Sequence, residues 1–235
     1  MSIGTRSYLK AAEGRQLKKE IVDTIIKMSG KYPPDIIFSD WVQCSALAIQ
    51  NSCCMLHDQV WNSREEQYKN TMNRYTAAEQ KDFARMLALL ADAFEEQVSD
   101  ILGEIYMEAG CGSRHTAQFF TPFHISYLIA EAALAGRKAD EDGKYYISEP
   151  SVGGGGMIIA AAEILKRQGI DFQQSMRVVA QDLDWRSVYM AYVQFSLLGI
   201  DAILIQGDSL ADLHPVRNTK QSHILRTPKR MEVIL

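Results

Sequence analysis

The 235 residues predict an α/β fold in which a helical N-terminal region precedes a parallel sheet. Three observations predict it. As far as residue 108, apolar side chains recur every three or four positions, the spacing of buried helix faces. Beyond Gly110-Cys111-Gly112, short β-branched and aromatic runs alternate with helix-like segments, the order of a right-handed parallel α/β unit. A glycine run, Gly153-Gly154-Gly155-Gly156, falls between the first of these strands and the next helix, where such sheets place their ligand loops.

A first helix is expected over residues 5–28, stopped by Ser29-Gly30, with Tyr32-Pro33-Pro34 breaking the chain after it. Residues 35–55 form a second, burying Ile36, Ile37, Trp41, Ala46, Leu47 and Ile49. A third runs over 76–108, opened by the capping box of Thr76 and Glu79, with Phe83, Met86, Leu90, Phe94, Val98 and Ile101 on its inner face. Thr121 as N-cap with Pro122 in the first turn starts a helix over 122–134. Strands are expected at 145–148, 176–180 and 202–206, with helices over 156–168 and 185–198 between them; residues 231–235 are a candidate fourth strand. Residues 1–112 thus read as a helical region, and 113–235 as a sheet-bearing domain that is incomplete.

Composition narrows the function. With 47% hydrophobic and 23% charged residues the chain is an ordinary globular one. It has no apolar run of roughly 20 residues and no apolar N-terminal leader, so a cytoplasmic protein without a membrane span is expected. Net charge is −4, with 12 Lys/Arg against 16 Asp/Glu in residues 1–112 and 13 of each in 113–235. Only the last two dozen residues lean basic, through Arg217, Lys220, Arg226, Lys229 and Arg230, a patch able to meet phosphates. Cys53, Cys54 and His57 lack the paired spacing of a zinc site, and no metal is expected.

The chemistry-bearing residues gather where strands end. Glu149 closes the first strand, directly before Pro150-Ser151-Val152 and the glycines. An acid there repels a pyrophosphate and attracts a cation. The dinucleotide fingerprint also fails, because with Gly153 and Gly155 as its first glycines its third position is Ile158. A nicotinamide-binding module is disfavoured on both counts. Asp182 follows the second strand, where a carboxylate can accept from both hydroxyls of a ribose. Asp208, after the third, can accept from an exocyclic amino group. Upstream, Gln118-Phe119-Phe120-Thr121-Pro122 offers a helix N-terminus for a carboxylate and two aromatic rings for an apolar or sulfonium-bearing ligand.

In this order, these elements resemble the modification subunits of type I restriction systems and related adenine-N6 DNA methyltransferases. The similarity covers roughly residues 80–210, including Ile101-Leu102-Gly103-Glu104-Ile105-Tyr106 of the helical part. It implies a partial Rossmann-like sheet of the class I methyltransferase kind and S-adenosylmethionine as cofactor. By the same resemblance Gln118, Phe119, Phe120, Thr121, Glu149, Ser151, Gly153, Gly155 and Leu183 line the cofactor site, Asp182 holds the ribose, and Asp208 holds the adenine. DNA is the implied partner.

The sequence departs from that family in one place that matters. The family attacks its base with Asn/Asp-Pro-Pro-Tyr/Phe after the fourth strand, and no such tetrapeptide follows Asp208. Pro33-Pro34 is preceded by Tyr32 and by no strand. His214 and His223, the candidate substitutes, sit away from any evident strand tip. Glu149 replaces the usual Asp, and Val152 stands where Cys or Thr is common. The expectation is a cofactor-binding chain that methylates adenine only with a partner subunit or missing segment; the alternative is a catalytically inactive, DNA-associated regulatory or structural protein. A short sheet with an open third strand needs the C-terminal segment or another subunit, such as a second copy, to cover it.

Overall fold

The computed structural model describes residues 3–112, 120–211 and 215–232. The helical part comprises α1 (Ile3–Met28), α2 (Pro34–Ser52), α3 (Gln59–Met72), α4 (Ala77–Glu96) and α5 (Ile101–Glu108). After α6 (Phe123–Leu134) come β1 (Tyr145–Glu149), α7 (Gly156–Arg167), the single-turn α8 (Phe172–Ser175), β2 (Met176–Asp182), α9 (Trp185–Leu198) and β3 (Ala202–Gln206). The chain continues through α10 (Pro215–Asn218), a 3-10 turn at Gln221–His223, β4 (Ile224–Arg226) and α11 (Pro228–Glu232). The α/β class and the leading helical region are as the sequence predicts. None of the described helices is long and apolar enough to cross a membrane.

Strands lie in the order β1-β2-β3-β4. The first three are parallel, and Glu149 pairs with Ala180 while Asp182 pairs with Gln206. The β2 tip therefore reaches two residues past that of β1. β4 runs antiparallel to β3, from Ile205 opposite Ile224 to Ile203 opposite Arg226. The C-terminal segment thus covers the edge of β3 as expected, but with Ile224–Arg226 rather than residues 231–235. Ile224 and Leu225 are apolar and buried, whereas Met231 lies in α11, and 233–235 fall outside the described residues. Thr227 fixes the crossing: its hydroxyl donates to Ile200 O at 2.7 Å and accepts from Ala202 N at 3.0 Å.

α9 joins the two halves. It packs on α2 from one side and on β2 and β3 from the other, and Met190, Ala191, Tyr192, Val193 and Phe195 are all buried. A helix apolar on every face is one enclosed on every face, and each large side chain so buried stabilises the fold by roughly 1.5–3 kcal/mol. One hydrophobic core includes Trp41 and Phe83 of the helical part and Val178 and Leu204 of the sheet. Trp41 Nε1 donates to Phe83 O at 3.1 Å, satisfying the one polar atom of a buried indole.

Several helix boundaries differ from the sequence reading. The 76–108 helix is two helices, because Gln97 is extended (φ −151°, ψ 147°) and Asp100 caps α5 by accepting from Gly103 N at 3.0 Å. Periodicity carries across the break because Phe94, Val98 and Ile101 enter the same core. The capping box of Thr76 and Glu79 is present. α2 ends at Ser52, short of residue 55. Pro122 itself occupies the N-cap position of α6 (φ −54°, ψ 136°), with no side-chain cap, so Thr121 lies one residue outside. α3 escaped the sequence reading because only Thr71 of its residues is buried. Without an apolar stripe, its one signal was Asp58, whose carboxylate accepts from Trp61 N at 2.8 Å.

Candidate cofactor site

The glycine turn is built by backbone geometry that side chains would prevent. Gly153 (φ 54°) and Gly155 (φ 100°) are left-handed, the conformation that disfavours a Cβ. Gly155 N donates to Val152 O at 2.9 Å, closing the turn, and Val152 N donates to Gln181 O at 2.9 Å, tying it to β2. A Cβ on Gly155 would lie 2.7 Å from the Phe195 ring, so this glycine serves the packing of α9. Gly153 and Gly154 face the Phe120 ring, at 3.4 and 3.6 Å from a built Cβ. That ring is fixed in turn by Tyr106, edge-on at 5.1 Å.

Asp182 gathers the strand ends. Its Oδ2 accepts from Gly153 N at 2.9 Å and its Oδ1 from Asp184 N at 3.0 Å, while its own carbonyl accepts from Gly207 N at 2.9 Å. Each carboxylate oxygen keeps a further lone pair for a ligand hydroxyl. Beside it Leu183 is 66% exposed and, after β3, Leu210 is 94% exposed. Both are apolar surfaces at the carboxyl end of the sheet, where ligands of such sheets bind.

A cavity of about 350 Å³ lies between this turn and the helical part. Of the predicted site residues it brings together Phe120, Thr121, Ser151, Gly153 and Asp182. Glu149, Gly155, Leu183 and Asp208 do not line it. Glu149 Oε1 accepts from Ser151 N at 3.1 Å, and Asp208 Oδ1 from Leu210 N at 2.9 Å, so both acids shape their own turns. Gln118 and Phe119 lie outside the described residues.

The cavity also includes side chains that the sequence reading did not single out: Asp100, Ser126 and Ser187. Asp100 is buried at the start of α5, and burial pushes its carboxyl above the usual aspartate range, opposed by hydrogen bonds from Gln194 and Gly103. Gln194 Nε2 donates to Asp100 Oδ1 and to Gly154 O, both at 2.7 Å, and its Oε1 accepts from Leu102 N at 3.0 Å. One buried amide therefore locks α5 to the glycine turn. The pair Ser99-Asp100 before an apolar run was the available sequence signal, a helix start masked by the run of apolar positions around it.

Other candidates fall elsewhere. Tyr32 packs on Tyr75 at 5.7 Å and under Arg74 at 4.5 Å, so Tyr32-Pro33-Pro34 belongs to the helical core's margin. His57 stacks on Trp61 at 3.9 Å, and among the described residues no cluster of His, Cys, Asp or Glu could hold a metal ion. His214 lies outside the described residues. His223, contrary to the sequence reading, sits beside a strand tip, because β4 runs backwards from the end of β3. Its Nδ1 lies 2.7 Å from Gln206 Oε1 and its ring 5.7 Å from that of Trp185.

The residues present fit S-adenosylmethionine. Glycines leave open the cradle that Cβ atoms would fill, an acid stands at the β2 tip, and the described lining contains no Lys or Arg to repel a cationic ligand. Comparison with known proteins gives the family and the fold. The family model for N-6 DNA methylases matches residues 97–233. No curated protein matches the chain. Among solved structures, a class I S-adenosylmethionine-dependent methyltransferase from Listeria monocytogenes superposes with a TM-score of 0.50 at 12% identity, over 86% of this chain and 55% of that one. The methyltransferase subunit of a type I restriction-modification system from Streptococcus thermophilus gives 0.44 at 18% identity, over 82% and 43%. The chain thus spans about half the length of each.

Proposed function

This chain belongs to the N-6 DNA methylase family, and we propose that it binds S-adenosylmethionine in the cavity between the glycine turn and α5. In this reading Phe120 and Thr121 flank the methionine portion, Ser151 and Gly153 give it backbone access, Asp182 accepts from the ribose hydroxyls, and Leu183 and Asp208 bound the adenine at the open rim. The observation that carries it is the Asp182 carboxylate, held at the β2 tip against Gly153 N on the cavity wall. When bound, the cofactor supplies an electrophilic methyl group. What the chain's own residues supply is its placement.

Adenine-N6 methylation of DNA is the reaction class we assign, completed by a partner subunit or further segment that carries the acceptor-Pro-Pro-aromatic unit. The second reading is an inactive DNA-associated protein on the same fold. Calorimetric titration with S-adenosylmethionine tests the binding, and absence of heat at high protein concentration overturns it. Tritium transfer to DNA on adding a chain that bears the tetrapeptide separates the two readings.

A further inference from the structure

We propose that Asp100 and Ser126 form the subsite for the α-ammonium of the cofactor's amino-acid portion, an inference that rests on the binding reading above. Asp100 is 3% exposed and Ser126 0% exposed, yet both line the cavity. The Ser126 hydroxyl, deep in the wall, has no hydrogen-bond partner among the described residues. Leaving a buried hydroxyl unpaired is costly, and a ligand donor in this cavity would satisfy it.

The geometry defines that place. A Cβ built on Gly156 would stand 3.2 Å from Asp100 Oδ2 and 3.3 Å from Ser126 Oγ. The two oxygens therefore both approach the bare Cα at the start of α7, closer than a side chain there would allow. An ammonium carries three donors and no acceptor, and these two oxygens are neighbouring acceptors on the cavity lining, one of them on an acid. Asp100 and Asp182 are the acids of the described lining, and it holds no Lys or Arg. Beside these oxygens, the first turn of α7 has backbone N–H groups without intrahelical partners, which suit the carboxylate of the same α-amino acid. Burial raises the Asp100 carboxyl's affinity for its proton, and a fixed cation beside it would restore the stabilisation that water gives an exposed carboxylate. Glu149, the acid next to the glycines in sequence, does not line the cavity and holds Ser151 N instead.

The test is calorimetry on the full chain with three probes: S-adenosylmethionine, S-adenosylhomocysteine and 5′-methylthioadenosine, which lacks the amino-acid group. Asp100→Asn keeps the cap of α5, since Asn caps as well as Asp, while removing the charge. It should weaken the first two probes by about 10-fold or more and the third by less than about 2-fold. Ser126→Ala, which loses no existing hydrogen bond, should weaken the same two by roughly 3-fold, and it carries the test if Asp100→Asn does not fold. Unchanged affinity in both variants, or equal loss for all three probes, overturns the subsite while leaving the cavity's cofactor intact. No binding of any probe by the unsubstituted chain overturns the cofactor reading and the subsite together.

Discussion

Asp182 Oδ2 accepts a hydrogen bond from Gly153 N across 2.9 Å, so the acid ending one strand holds the glycine turn that follows its neighbour. The relation joins residues 29 positions apart and makes the β2 tip and the glycine turn a single surface. Substitutions there are expected to register in binding and stability to different degrees, according to what each side chain touches.

Asp182→Ala should weaken S-adenosylmethionine binding by about 10- to 150-fold, the loss of a carboxylate accepting from two hydroxyls. Asp184→Ala, two residues on, should change affinity by less than about 3-fold. Its carboxylate accepts from Arg186 N at 2.8 Å and caps α9, so the expected cost is about 1 kcal/mol of stability instead. Titration paired with urea melts of both variants checks the split, and equal affinity losses would reject the assignment.

Gly155→Ala should destabilise the fold by about 2–5 kcal/mol, combining a left-handed backbone with an overpacked contact. The new methyl would meet the Phe195 ring at 2.7 Å and the Ala191 Cα at 3.4 Å. Phe195→Leu in the same chain should recover part of the contact cost and none of the backbone cost. Denaturant midpoints of the two single variants and the double variant measure this, and strictly additive effects would contradict it.

The stability of the parent relative to Asp100→Asn should fall as pH rises from the acid range toward neutrality. Burial raises the Asp100 carboxyl above its unfolded value of 3.8, so over the interval between the two values the folded state holds the proton that the unfolded state has lost. Stability therefore declines with pH through that window. Asn has no such proton and no such decline. Unfolding free energies at a series of pH values check it, and a pH-independent difference would refute the burial argument.

This chain alone should not methylate adenine in DNA. Transfer to an exocyclic amine needs the nitrogen held against the methyl group by fixed acceptors, and a ring to stack the extruded base. His223 and Trp185, placed together beyond the end of β3, are the nearest substitutes in the described structure, but the His223 ring already faces Gln206. Incubation with tritiated S-adenosylmethionine and duplex or single-stranded DNA should give background counts. Sustained incorporation into adenine, abolished by His223→Ala, would show that this pair does replace the missing tetrapeptide.

The sequence by itself determined what local physics determines. Short β-branched and aromatic runs became β1, β2 and β3, and the run of 202–206 kept its predicted bounds because Ala202 to Ile205 are buried on both faces of the sheet. Thr76 and Glu79 formed the cap that their spacing promised, and the acids and glycines after β1, β2 and β3 lie at the carboxyl edge of the sheet. Local pattern was blind where neighbours in space decide. Nothing near Ile224 announces that it pairs backwards with Ile205 and so carries His223 to a strand tip. Likewise nothing near Asp100 announces that Gln194, 94 residues later, will bind it to the glycine turn. Periodicity records which face of a segment is buried; only the packed structure decides which buried polar atoms are left facing a cavity.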